Sequence, residues 1–288
     1  MVGREAGVAA AHVREESSGV TTLYVLGSGS RGNCCALEHD GSAILVDAGF
    51  SPKEIERRAE TAGLELGIVG AIVLTHEHGD HACGAGRLAR RLGVPVLTAP
   101  GTWTRLAPRM RDTEHRRLGF CAQAEVGPFV VTACPTSHDA AEPLALVVEA
   151  AGRVRVGVAY DLGRPTAAVR FLLRNLTAIV LEANHDDVLL RTSGYPPVVQ
   201  RRIAGSGGHL SNRAAAELLA EVHHPGLGVV VLAHLSRQCN TAADARATVA
   251  PALRRAGFVG TLHVADQDEP LGPIAVVSQA GEQLGLAL

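Results

Sequence analysis

The sequence predicts an α/β fold, a four-layer αββα sandwich, on three observations. Two runs of short apolar strands are each followed by helical stretches, an alternation that packs sheet on sheet with helices covering them. No linker or low-complexity segment divides the runs, so residues 20–288 read as a single domain, and 47% apolar residues in a 288-residue chain are ample for its core. Polar and ionisable side chains recur where strands end, which places a site where the strand ends of the two sheets converge. Residues 1–19 read as a disordered tail whose short Gly-Val-Ala-Ala-Ala stretch, followed by Arg14-Glu15-Glu16, is too brief and badly flanked for a signal peptide.

Residues 21–26 form the first expected strand and run into Gly27-Ser28-Gly29-Ser30-Arg31-Gly32-Asn33-Cys34, a turn whose small residues let backbone approach a ligand or another loop. The next segment, 35–38, reads as a strand rather than a helix, which excludes a dinucleotide-binding loop. A strand at 43–46 ends at Asp47-Ala48-Gly49, and 52–62 reads as a helix with Ser51 as N-cap and Pro52 in its first position. The apolar run 69–74 is a buried strand that delivers Thr75-His76-Glu77-His78-Gly79-Asp80-His81, and a helix is expected from Asp80 to about Leu92. Strands follow at 94–97, 129–133, 144–149, 153–158 and 177–181, with Trp103 expected in the core. Helical stretches around 188–190 and 196–203, a helix at 213–222, a strand at 228–232, a helix at 241–255 and strands near 261–265 and 272–277 complete the chain.

The stretch from Thr75 to His81 packs three imidazoles and two carboxylates into one loop after a buried strand, which is metal-ligand chemistry. Histidine with a hard carboxylate oxygen suits zinc, manganese or iron. His76, His78, Asp80 and His81 lie too close in sequence to close together on one tetrahedral ion. The pair His76 and His78 can face one ion and Asp80 with His81 a second, about 3.5–4 Å apart as in two-metal hydrolytic sites. Glu77 is left to point away, towards a partner behind the ligands. His138 stands at a strand edge where the first ion lacks a third ligand, and Asp161 falls at a strand end that suits a bridging carboxylate.

Charge and composition limit the partners. The formal net charge is −2, which gives no global sign of nucleic acid. Between Arg87 and Arg117, however, eight arginines stand against only Asp112 and Glu114, a local excess of +6. Such a run either tracks phosphates or is a solvated helix face. The six cysteines have no Cys-x-x-Cys spacing and read as reduced, mostly buried thiols. No apolar run approaches the roughly 18 residues of a membrane span, so a cytoplasmic protein is expected.

Residues 27–33, 75–81, 101–103, 137–139, 181–186, 208–212 and 233–236 together resemble the YycJ (WalJ) family of metallo-β-lactamase-fold hydrolases, over essentially the whole chain from about residue 21. A looser similarity to the ribonuclease Z group lies in the Glu, the Gly-His and the terminal His-x-Ser of the later motifs. The resemblance implies the metallo-β-lactamase αββα sandwich, two divalent ions and a 5′-to-3′ exonuclease acting on double-stranded DNA ends. It places His76, His78 and His138 on one metal, Asp80, His81 and His234 on the other, and Asp161 between them. A hydroxide bridging both metals would attack phosphorus in line, with Asp80 in the catalytic set, His209 as the acid for the leaving 3′-oxygen and Glu182 orienting it. Ser28, Asn33, Asn184, His185 and Ser236 are the candidate substrate contacts; Asn184 and His185 either touch phosphate or order their loop. The alternatives are an RNA-processing nuclease, a hydrolase of thioesters, lactones or cyclic phosphodiesters, and a non-catalytic scaffold, which the intact ligand positions argue against. Asp161 stands where some β-lactam hydrolases carry cysteine, which weakens an antibiotic-hydrolysing reading. The oligomeric state is left open, a dimer being one outcome.

Overall fold

The computed structural model describes residues 19–119 and 122–278, so the tail expected at 1–19 lies outside the described residues except for Gly19. The strands are β1 (Thr21–Gly27), β2 (Cys34–His39), β3 (Ser42–Val46), β4 (Val69–Val73), β5 (Val96–Thr98), β6 (His115–Arg117), β7 (Gln123–Val126), β8 (Phe129–Pro135), β9 (Leu144–Ala150), β10 (Val154–Ala159), β11 (Ala178–Glu182), β12 (Val229–Ala233), β13 (Thr261–Val264) and β14 (Leu271–Val276). The helices are α1 (Pro52–Ala62), α2 (Gly79–Ala82), α3 (Ala85–Leu92), α4 (Pro100–Leu106), α5 (Ala167–Leu172), α6 (Asp187–Thr192), α7 (Pro197–Ile203), α8 (Asn212–Val222) and α9 (Ala242–Arg255). No helix among the described residues is long and apolar enough to cross a membrane.

Two seven-stranded sheets form, in the orders β14-β1-β2-β3-β4-β5-β6 and β13-β12-β11-β10-β9-β8-β7. Alternation along the strands makes four layers of them. Leu23, Val25, Ile44 and Val73 of the first sheet meet Val131, Val148, Val158 and Val231 of the second in the central core. Their neighbours Leu26, Leu45 and Ile72 turn the other way, onto Ile55 of α1 and Leu88 of α3. On the far side Ile179, Leu181 and Leu232 pack under Val169 of α5, Leu219 of α8 and Val249 of α9. The last strand does not stay with its own run: β14 crosses back to pair antiparallel with β1. The edge strands β6 and β7 and the helices α4 and α5 carry little periodic signal and are additions to the sequence reading.

Helix starts follow local chemistry. Ser51 Oγ accepts from Glu54 N at 3.2 Å ahead of Pro52, and Ser211 and Thr241 cap α8 and α9 in the same manner. The helix expected from Asp80 to about Leu92 is instead two helices, and the hydrogen bonds give the reason. A continuous helix would send Gly84 N to the Asp80 carbonyl and Ala85 N to that of His81. Those carbonyls accept from Asn33 N and Ala48 N, both at 2.7 Å, and Gly84 N donates to Ala48 O. The turn after β3 therefore clamps the short α2, which carries Asp80 and His81. Trp103, expected in the core, lies half-buried on α4 with its ring stacked on His115 at 4.1 Å.

The clamp depends on Gly49, where a Cβ would meet the Asp80 carbonyl oxygen at 1.7 Å. Gly49→Ala should destabilise the protein by about 3 kcal/mol, the upper part of the range for overpacking, because the blocking atom is backbone. Thermal unfolding measures this; an unchanged midpoint would show that the turn relaxes freely.

Candidate metal centre

Strand ends bring the ionisable residues together. The parallel strands β10, β11 and β12 are in register with Ala159 opposite Leu181 and Glu182 opposite Ala233, so Asp161 and His234 each stand one residue beyond the level of Glu182. His76 and His78 follow β4, Asp80 and His81 ride on α2, and His138 follows β8. Three non-glycine residues at these ends take left-handed backbone: Asp47 at φ 61°, Asp161 at 51° and His234 at 56°. Such conformations are costly for residues with a Cβ and persist where surrounding contacts over-determine them, as they do at functional sites.

Four imidazoles are held in the same sense. Nδ1 of His81 donates to Asp47 Oδ2 at 2.7 Å, Nδ1 of His138 to the Gly208 carbonyl at 3.0 Å, and Nδ1 of His234 approaches Glu182 Oε1 at 3.2 Å. Nδ1 of His76 lies 3.1 Å from Thr75 Oγ1, a hydroxyl that itself donates to Asp47. In each case Nε2 is left to face the cluster. His78 is turned the other way, its Nδ1 lying 3.3 Å from His138 Nε2. Donor atoms of His76, His78 and His138 lie within 4.8 Å of one another, as do those of His76, His81 and Asp161 and those of Asp80, His81 and His234.

This donor set fits divalent cations. Anchoring Nδ1 behind each ring fixes the tautomer that presents Nε2 to a metal. His76 Nε2 is buried without a hydrogen-bond partner, 3.4 Å from Asp161 Oδ2. An orphaned buried nitrogen of this kind is costly unless an ion completes it.

Charge in the ion-free cluster is balanced by protons. Burial works against the imidazolium of His81, yet Asp47 and Asp161 outweigh it and push its pKa up to about 10. His234 is likewise raised despite its burial, chiefly by Asp161. His76, buried and beside His81, is pushed down. Burial opposes ionisation of Asp161 as well, but His234 and His81 hold its carboxyl well below the usual range. Glu182 is fully buried; its Oε2 accepts from Leu162 N at 2.7 Å and Leu210 N at 2.9 Å, and its Oε1 receives His209 Nδ1 at 2.7 Å. His209 Nδ1 also lies 2.9 Å from Asp161 Oδ1, and these carboxylates raise its pKa to about 9 against the effect of burial.

The expected metal ligands His76, His78, Asp80, His81, His138, Asp161 and His234 thus converge, with Glu182 and His209 beside them. The five expected substrate contacts do not line the pocket over the cluster. Ser28 Oγ donates to Asn33 and accepts from His234 N; the Asn33 amide reaches Gly29 O and His81; Asn184 donates to the His234 carbonyl. Ser236 Oγ accepts from Cys239 N, and His185 is buried in a bridge to Ser211. Ser28, Asn33, Asn184 and Ser236 spend their polar groups on holding loops, whereas His185 Nδ1 is buried without a hydrogen-bond partner. Ser30, Asp139 and Arg202 line the pocket instead. Arg202 comes from α7 and pairs with Asp139 at 2.7 Å, a link across 63 residues that no local pattern reveals. Asp47 was visible only as a polar residue at a strand end. Glu77 points away as expected, accepting from Ala141 N at 2.8 Å.

The model of the metallo-beta-lactamase superfamily matches residues 27–233. The chain is 33% identical over 256 residues to the exodeoxyribonuclease YycJ of Bacillus anthracis, covering 88% of this chain and 97% of that protein. It is 29% identical to the exodeoxyribonuclease WalJ of Streptococcus pneumoniae, covering 81% and 88%. Among solved structures, the metallo-beta-lactamase fold protein YhfI of Bacillus subtilis superposes with a TM-score of 0.65 at 18% identity, covering 88% of this chain and 99% of that one.

Two outcomes follow from the anchoring. The pKa of His81, at about 10, lies above its ordinary value, so ion-free protein at pH 8 holds that proton on a nitrogen a metal needs free. Zinc binding at pH 8 should release about one proton or more per protein, and affinity should weaken as pH falls; a zinc titration in weak buffer with an indicator dye reads both, and no release would contradict the arrangement. Asp47→Asn removes the acceptor behind His81 and should weaken zinc binding about 10–100-fold in competition with a chelator.

Proposed function

Because the chain belongs to the metallo-β-lactamase superfamily and, within it, to the family of the YycJ and WalJ exodeoxyribonucleases, we propose that it is a two-metal exonuclease that digests double-stranded DNA ends from 5′ to 3′ in the cytoplasm. The observation that carries the two-metal part is the shared donor set. His76, His78 and His138 form one ligand group and Asp80, His81 and His234 the other, and Asp161 lies between them with His81 Nε2 at 2.8 Å and His76 Nε2 at 3.4 Å from its Oδ2. The names of the relatives support DNA as the substrate. Zinc, manganese and iron all suit these donors.

Divalent ions held there activate water as a nucleophile and offset the charge that builds on phosphoryl oxygens. The remaining steps belong to the chain. His209 lines the pocket with Nδ1 committed to Glu182, which leaves Nε2 to give a proton to the departing 3′-oxygen. Glu182 cannot swing away, because two backbone N–H groups hold its other oxygen. Arg202, at the pocket rim, holds Asp139 with Nε and Nη2 and keeps Nη1 for a phosphate next to the one being cut.

Digestion of 5′-phosphorylated duplex DNA, labelled at either end, by purified protein with manganese tests the reading. Stepwise release from the 5′ end, absent in Asp80→Ala, is expected. Intact duplex alongside cleavage of RNA ends or small esters would reject the DNA reading. His209→Ala should lower turnover by about 10²–10⁴-fold with both metals retained. Loss of metal, or unchanged turnover, would remove His209 from the acid role.

A further inference from the structure

The arginine run is not one helix face. Arg87 and Arg90 project from α3, whereas Arg109 and Arg111 come from the turn after α4, and all four are exposed. These two pieces are pinned together at backbone level. Gly86 packs so tightly that a Cβ there would lie 2.3 Å from the Arg109 carbonyl oxygen, and Arg90 Nη1 donates to the Arg111 carbonyl at 2.6 Å. Between them runs a cleft of about 370 Å³ lined by Cys83, Gly86, Pro108 and the four arginines, with no carboxylate in its walls. Among the described residues, Arg91 and Arg116 are neutralised by Glu56 and Glu114, while Arg87, Arg109 and Arg111 have no carboxylate partner.

The cleft adjoins the end of α2, the helix that carries Asp80 and His81. Cys83 ends α2, three residues after Asp80, and its Sγ donates to the Gly49 carbonyl of the turn that clamps that helix.

We infer that this cleft, through Arg87, Arg109 and Arg111, is a phosphate track that holds the sugar-phosphate backbone of duplex DNA as it leaves the cluster. The inference rests on the nuclease reading and assigns part of its binding energy to residues outside the catalytic pocket. Duplex DNA presents one charge per about 1.7 Å of axis, and each phosphate neutralised by an arginine releases counterions, so the track has a signature in salt dependence. Arginine suits it because its planar fork pairs with two phosphate oxygens at once.

The experiment is fluorescence anisotropy of metal-loaded protein on a phosphorothioate duplex across a salt series. The variant Arg87→Gln/Arg109→Gln should flatten the slope of log affinity against log salt by about 1.8 relative to the unmodified protein, and weaken binding about tenfold or more at physiological salt. A control that removes equal charge from the last turn of α9, Arg254→Gln/Arg255→Gln, should leave the slope in place. If the double variant does not fold, Arg111→Gln alone should still flatten the slope by about 0.9. An unchanged slope in protein that still degrades duplex DNA overturns the track and leaves the nuclease reading standing. Equal losses in the control variant also overturn it, since net charge would then suffice. Protein that neither binds nor degrades duplex DNA overturns both.

Discussion

The structure depends on seating three carboxylates, Asp47, Asp161 and Glu182, at buried strand ends drawn from both sheets. An isolated carboxylate in such a place would take up a proton rather than remain charged. Each is instead surrounded by donors from different parts of the chain. Asp47 receives Thr75 N, Thr75 Oγ1 and His81; Glu182 receives Leu162 N, Leu210 N and His209; Asp161 is met by His81 and His209. His81, His209 and His234 take their orientation from these carboxylates.

Much of the local irregularity follows from that requirement. Left-handed Asp47, Asp161 and His234 turn the chain sharply at the strand ends, which drops each side chain inward instead of along the sheet. The break between α2 and α3 lets the carbonyls of Asp80 and His81 be tied by the loops after β1 and β3. A continuous helix would have used those carbonyls internally. Asp80 and His81, the proposed ligands on α2, are thus held from behind by backbone and, at His81, from the side by Asp47. Fixing ligands before binding is what makes a mixed His/Asp site tight.

The sequence carried the parts of this that are local. Ser51 before Pro52, the apolar run into Thr75–His81, and the buried strands ending in ionisable residues each combine a propensity with a polar signal within a few positions. Of the seven proposed ligands, four lie within one loop, His138 and Asp161 stand at strand ends, and His234 came only through the family resemblance. What escaped is set by partners far away in sequence. The return of β14 to β1 depends on edge pairing across the whole chain, the split of α2 from α3 on Asn33 and Ala48, and the pairing of Arg202 with Asp139 on the packing of α7. Ser28, Asn33, Asn184, His185 and Ser236, expected at the substrate, lie outside the pocket over the cluster, a placement that likewise depends on distant parts of the chain. A polar residue in a loop reads alike whether it faces a substrate or ties the loop together, and hydrogen-bond accounting separates the two.

That accounting also decides between two roles for the quartet Asp161, Glu182, His209 and His234, whose donor atoms come close enough to hold a cation of their own. Glu182 has both oxygens engaged: Oε2 by two backbone N–H groups and Oε1 by His209, with His234 at 3.2 Å. His209 Nδ1 is enclosed by Glu182 Oε1 and Asp161 Oδ1, at 2.7 and 2.9 Å. A cation there would have to displace the Nδ1 proton that His209 gives to Glu182 and break the backbone bonds that fix that carboxylate. The same distances suit a proton well, since short charge-assisted hydrogen bonds are stronger than neutral ones. The quartet's distances therefore favour a proton over a cation beside the ligand cluster, and His209 is the one member of the quartet with appreciable exposure to the pocket.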